Sequence, residues 1–142
     1  MYKHSEITDK IIKAFYAVYG ELGYGFLERV YENSMAIELR AMGLKVVQQA
    51  PIVVRYRGQV VGEYSADLLV EDKVIVELKA AHALADAHEA QLLNYLKATV
   101  YEVGLLLNFG PKPEIRRRAF SNSRKEWLRN LKNGTQTSTS QR

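Results

Sequence analysis

Apolar positions early in the chain recur at three- and four-residue steps. Ile7, Ile11, Phe15, Val18 and Leu22 predict an amphipathic helix over residues 8–22, with Thr8 as its N-cap. The stretch "GYG" at 23–25 breaks it. A second helix follows over 26–42, with Leu27, Val30, Tyr31, Met35 and Leu39 along one side and Gly43 closing it. The period then changes from helical to alternating. "KVVQQAPIVVRY" predicts a strand interrupted by Pro51, which suits a sheet edge or a kink. A turn at Arg57–Gln59 leads to "VVGEY" and "ADLLV", and "EDK" turns into "VIVELKA", making an antiparallel meander. "DAHEAQLLNYLKAT" predicts a helix with Asp86 as N-cap and Glu89 completing a capping box. "YEVGLLLNFG" is a buried strand, "EIRRRAF" an edge strand, and "SRKEWLRNL" a short helix. The order α-α-β-β-β-β-α-β-β predicts an α/β (α+β) fold, a mixed sheet flanked by helices.

Bulk properties narrow the class. At 142 residues the chain is long enough for one domain with a sizeable core. Without cysteine it has neither disulfides nor a thiolate metal site. No apolar run approaches the roughly 20 residues that span a bilayer, and the first residues carry no apolar signal core, so a cytoplasmic location is expected. The net charge of +4 is uneven: from Lys112 onward the chain carries net +7, which leaves −3 for residues 1–111. The boundaries expected are a folded domain over 1–122 and a basic, polar, partly disordered tail over 123–142. Such a tail suits a phosphate backbone and equally suits a solvated surface.

The "EDK" hairpin concentrates the chemistry. A three-residue loop pairs Val70 with Val74, and counting back sets Asp67 across from Glu77. Opposed residues share a face, with β-carbons about 4.5–5.5 Å apart. Two carboxylates there repel each other, and a hard divalent cation such as Mg²⁺ or Mn²⁺ removes that repulsion. Lys79, two residues beyond Glu77, lies on the same face. There it can orient an attacking water and stabilise charge, as phosphodiester hydrolysis requires. The ordinary alternative is a surface ion pair of little energetic value. Glu28 and Tyr31 in "GFLERVY" share a helix face; Glu28 is either a third site carboxylate or a first-turn acid favoured by the helix dipole. Glu21, Glu32 and Glu38 read as solvated helix positions. Gln91 and Tyr95, at i and i+4, either support the site or form the polar edge of a packed helix. His4, His82 and His88 have no metal-ligand spacing on one face; His88 either supports the site from the helix start or, as suits it better, caps the helix or lies at the surface.

"GFLERVY" has the form GxxExxY. Together with "ADLLVEDKVIVELKA" and "HEAQLLNYLKAT" it resembles the GxxExxY proteins, a branch of the PD-(D/E)xK nuclease-like superfamily, over residues 7–120. The resemblance implies a restriction-endonuclease-like core in which Glu28, Asp67 and Glu77 hold the metal and Lys79 is the motif lysine. Gln91 and Tyr95 are similar to the QxxxY element of many superfamily nucleases. The chain departs from the pattern at Ala66, which replaces the proline before Asp67. It departs again at Tyr19, where family members often carry histidine, and in a tail extending past the usual family end. The resemblance leads us to expect a metal-dependent nuclease acting on DNA, or on RNA, with a homodimer placing two sites on a duplex. The alternative is a non-catalytic nucleic-acid-binding or protein-interaction module on the same scaffold.

Overall fold

The computed structural model describes residues 3–137, with side chains through Leu131. Helix α1 (Ser5–Leu22) and helix α2 (Glu28–Ala41) precede strands β1 (Val46–Tyr56), β2 (Gln59–Val70) and β3 (Val74–Lys79). Helix α3 (Asp86–Ala98), strands β4 (Val103–Phe109) and β5 (Pro113–Ala119), a 3₁₀ turn (Asn122–Arg124) and helix α4 (Glu126–Thr137) complete the chain. The five strands form one sheet in sequence order, with β3 and β4 parallel and the other pairs antiparallel. Helix α3 is the crossover that a parallel pair requires. The expected mixed sheet flanked by helices is the architecture found.

Helices α1 and α2 cover one face of the sheet, where Ile11, Phe15, Tyr31, Met35 and Leu39 meet Leu68, Val76 and Leu105. Helix α3 covers the other, where Leu92, Tyr95 and Leu96 meet Ile75 and Leu106. Strand β4 is buried along its whole length, as a central strand with helices on both faces should be. The hairpin register is as expected, Val70 opposite Val74. Glu71 and Asp72 take positive φ in the turn, and Lys45 binds both their carboxylates. Among the described residues no helix is long and apolar enough to cross a membrane.

Several local expectations are corrected. Helix α1 begins a turn early, after His4 at φ 58°; Thr8 is buried inside it and its hydroxyl donates to the Ser5 carbonyl, so it is not the cap. Leu27 and Val30 are 81% and 37% exposed, because α2 starts only at Glu28 and its buried stripe begins at Tyr31. Gly43 closes α2 as expected: at φ 85° its N–H donates to the Arg40 carbonyl and the Leu44 N–H to that of Leu39. "VVGEY" and "ADLLV" are one strand, since Ser65 pairs with Pro51 and carries the ladder across the gap. Three strands therefore precede α3, not four. Asp86 is the first residue of α3 rather than its cap. The residue reaching back is His88, whose Nδ1 accepts from the Ala85 N–H, while Glu89 pairs instead with Arg116 and Arg118.

The C-terminal segment is partly anchored. Lys125 is 2% exposed, and its ammonium donates to the carbonyls of Thr99 (2.6 Å) and Tyr101 (2.8 Å). Burial pushes that ammonium down to about 8. Trp127 Nε1 donates to the Lys97 carbonyl, seating α4 against the end of α3. The helix extends to Thr137, past the short helix expected over 123–131 and through 132–137 of the polar stretch 132–142 expected to be disordered; the rest of that stretch, 138–142, lies outside the described residues.

Candidate active site

The sheet is irregular along one row. Strand β2 pairs with β1 from end to end, with breaks at Asp67 and Val61, but with β3 only over Leu68–Val70. From Asp67 outward the β2–β3 ladder stops, while β3 continues beside β4 as far as Lys79. Side chains take over from the missing backbone bonds. The Asp67 N–H donates to Glu77 Oε2 at 2.7 Å, and the Leu78 N–H donates to Asp67 Oδ2 at 2.8 Å. The two carboxylates thus fill the wedge where the strands part, each held by one oxygen. Glu77 Oε1 has no hydrogen-bond donor among the described residues, and Asp67 Oδ1 has only Gln49 Nε2 at 3.4 Å.

Burial and mutual charge then dominate the electrostatics. Glu77 is 5% exposed. Burial, then the neighbouring Asp67 charge, push its carboxyl up to about 8, with Lys79 acting in the opposite sense. Asp67 is also raised, first by burial, against the Leu78 and Gln49 hydrogen bonds that favour its ionised form. A surface ion pair would show neither effect. Lys79 is half-buried and forms no ion pair among the described residues, so its ammonium is available to a further group.

The strand's exit beyond Lys79 is rigidly held. Asn108, opposite Lys79 on β4 and fully buried, accepts from the Ala81 N–H (2.9 Å) and donates to the Ala81 carbonyl (3.0 Å) and to Glu114 (3.0 Å). Gly110 is required beside it, since a β-carbon there would stand 2.2 Å from the Ala81 carbonyl oxygen. Asn108→Ala strands both polar groups of Ala81 and is expected to cost about 2–3 kcal/mol in urea unfolding. A loss under about 0.5 kcal/mol would mean that water replaces the amide.

The other expected site residues fall at different distances from this pair. On α3, Gln91 Nε2 donates to the Tyr95 hydroxyl at 3.1 Å. Burial first, then the Glu77 and Asp67 charges, raise the Tyr95 pKa, so the phenol lies within the field of both carboxylates and stays protonated. Glu28 is exposed at the first turn of α2, not turned toward the core. Its charge reaches Glu77 only as the smallest of the named influences on that group. Among the described residues no three of His, Cys, Asp and Glu stand close enough to form a ready-made metal cage. The structure therefore brings Asp67 of β2 and Glu77 of β3 together, with Lys79 on the strand of Glu77 and Tyr95 near, and leaves Glu28 at the rim.

Tyr31 shows what the GxxExxY spacing does locally. Its hydroxyl donates to the Gly23 carbonyl (2.7 Å) and accepts from the Phe26 N–H (3.2 Å), and its ring stacks on Phe109. It staples the loop before α2 and so fixes where Glu28 begins the helix. Tyr19 donates to the Gly110 and Pro111 carbonyls. It anchors the turn after β4.

One group was missed by sequence reasoning. Glu32 is not solvated; it is 4% exposed and accepts from Gln48 Nε2 (2.8 Å) and Gln49 Nε2 (2.7 Å). The available signal was the pair of amides in "VVQQA", an unusual interruption of an apolar strand, together with the four-residue step from Glu28 to Glu32.

A family model described as the PD-(D/E)XK nuclease superfamily matches residues 5–118. No curated protein matches the sequence. Among solved structures, one described as "Crystal structure of SSO0001" superposes with a TM-score of 0.53 at 16% identity, covering 96% of this chain and 69% of that one. It shows a shared fold. An alkaline exonuclease (LHK-Exo) from Laribacter hongkongensis aligns with a TM-score of 0.42 at 11% identity, over 92% of this chain and 77% of that one.

Proposed function

The chain belongs to the PD-(D/E)XK nuclease superfamily, and from that premise we propose that it is a divalent-cation-dependent nuclease hydrolysing phosphodiester bonds, with DNA as its substrate. The observation that carries this is the buried Asp67–Glu77 pair: two carboxylates in one wedge, each fixed through one oxygen, with Glu77 Oε1 accepting from no described donor and Asp67 Oδ1 only from Gln49 at 3.4 Å. Superfamily nucleases generally use divalent metals. The donor set here fits a hard cation such as Mg²⁺ or Mn²⁺, because carboxylate oxygens are its preferred ligands and its charge offsets the burial cost. Asp67 Oδ1 and Glu77 Oε1 would hold it, with Glu28 contributing from the first turn of α2. When bound, the cation supplies Lewis-acid polarisation of the phosphoryl oxygen and a lowered pKa for the attacking water.

The remaining work falls to the chain's own groups. The Lys79 ammonium, unpaired among the described residues and on the face of Glu77, orients the nucleophile and offsets the charge gathering on the phosphate. The Tyr95 hydroxyl accepts from Gln91, so its own proton is left to donate to a phosphate oxygen. The basic C-terminal segment holds the backbone outside the site. The placement in the GxxExxY branch, a cytoplasmic location and a homodimer on duplex substrates are parts of the same reading.

The test is cleavage of single- and double-stranded DNA and RNA in Mg²⁺, in Mn²⁺ and in EDTA. Cutting of DNA that stops in EDTA supports the proposal. RNA cutting alone moves the substrate. Binding with no cutting in either cation makes the protein a binding module on a nuclease scaffold.

A further inference from the structure

Sheet geometry is abnormal at the residue opposite Asp67. Gln49 falls between the paired rows Gln48–Leu68 and Ala50–Ala66, and its backbone is left-handed, at φ 52°. A non-glycine residue takes that conformation at a cost, and rarely within a strand. Two consequences show what the distortion does. Consecutive strand residues ordinarily point to opposite faces, yet Gln48 and Gln49 both donate to the Glu32 carboxylate. The facing of the sheet also changes across this row. Val46 and Leu68 belong to the core under α1 and α2, whereas the even-numbered Ala50 and Ala66 belong to the core under α3.

The kink leaves the Gln49 amide between two acids. Nε2 stands 2.7 Å from Glu32 Oε1 and 3.4 Å from Asp67 Oδ1, and Oε1 accepts from the Ser65 hydroxyl at 2.7 Å. Each end of the amide is therefore anchored, and the amide's orientation is set by groups outside the wedge. The oxygen it approaches is the one that Leu78 leaves free.

We propose that Gln49 is a positioning residue that sets the cation affinity of the Asp67–Glu77 pair, and that buried Glu32 acts on the site through it. This rests on the reading of Asp67 and Glu77 as cation ligands. A ligating carboxylate is itself oriented by hydrogen bonds, and loss of such a partner typically weakens metal binding about 10- to 100-fold. Glu32 fixes which end of the Gln49 side chain faces Asp67: a carboxylate accepts only, so the NH₂ end must turn inward.

The experiment is calorimetric titration of Mn²⁺ and Mg²⁺ into the full chain, with thermal melts in EDTA. Gln49→Gly removes the amide at a backbone position that glycine occupies freely, so relief of the left-handed strain partly offsets the lost hydrogen bonds to Glu32 and Ser65, and the melts in EDTA report whether the variant is folded. Gln49→Asn, also tolerant of φ 52° but too short to bridge, guards against a folding failure in the first variant. Both are expected to raise the Mn²⁺ dissociation constant about 10-fold or more. Glu32→Gln is expected to weaken binding alone but to add little in the Gln49→Gly background. Wild-type binding with Gln49→Gly and Gln49→Asn affinities within about twofold of it would overturn the inference and leave the nuclease reading standing. Absence of cation binding in the wild type would overturn both.

Discussion

At pH 8 without divalent cation, Glu77→Gln is expected to be more stable than the wild type while losing all cation-dependent cleavage. The Glu77 carboxyl titrates near 8 in the folded protein against an ordinary 4.5. Between these values the folded chain holds a proton that the unfolded chain has released. Stability is therefore full below about pH 4.5 and falls as pH rises through 8, at up to about 1.4 kcal/mol per unit. Glutamine keeps the size of the side chain, and its carbonyl can still accept from the Asp67 N–H, but it carries no charge. The expected gain is about 2–4 kcal/mol, or about 5–10 °C in melting temperature. Comparing the variant with the wild type across pH 5–8 isolates this group from Lys125, which also titrates near 8. The variant should lose the Glu77 share of the downward slope, leaving the part that the raised Asp67 contributes, and should lose the stabilisation by Mn²⁺. Parallel pH profiles for the two proteins would show that the Glu77 charge is not being forced into the wedge.

Lys79→Ala should separate binding from chemistry in the opposite way. The ammonium lowers the cost of ionising both carboxylates, but its removal leaves the cation's oxygen ligands in place. Taking one positive charge away from the site should leave Mn²⁺ affinity equal or tighter. Cleavage should nevertheless fall about 10³-fold, on the order of 4 kcal/mol of transition-state stabilisation. The melt in EDTA should change little, because Lys79 makes no ion pair among the described residues. Loss of cation affinity together with cleavage would assign Lys79 to holding the carboxylates rather than to the reaction.

The two variants fail differently because the chain stores a cost in one place and uses it in another. Sequence alone exposed much of that arrangement. The step from apolar to charged within "VIVELKA", the loop length that sets Val74 opposite Val70, and the four-residue step from Gln91 to Tyr95 are local signals, and each has its structural counterpart. The errors arise where a residue's surroundings come from far along the chain. Glu32 looks like a solvated helix position because its partners are Gln48 and Gln49, reached only when β1 kinks. Leu27 looks like part of a helix stripe because nothing in its own neighbourhood reveals that Tyr31 will tie the preceding loop and delay the helix. Strand β2 looks broken at Ser65 because its continuity depends on pairing with Pro51. Lys125 looks like one more charge in a basic tail, and its burial is decided by the carbonyls that close α3.

The interrupted ladder also divides the sheet by how readily it opens. Amides at Leu68–Val70 and Val74–Val76 sit between helices on both faces and open only with the whole domain, so their hydrogens should exchange slowest. Beyond Asp67 the β1–β2 ribbon has no further strand partner among the described residues, and its outer residues Tyr56, Val60 and Val61 are exposed. Its amides should exchange through openings that cost far less than global unfolding. The Asp67 and Leu78 amides lie on the boundary, and their protection comes from carboxylates rather than from a neighbouring strand. A cation that locks those carboxylates should slow exchange at these two amides first, which makes them an isotopic reporter of occupancy that needs no substrate.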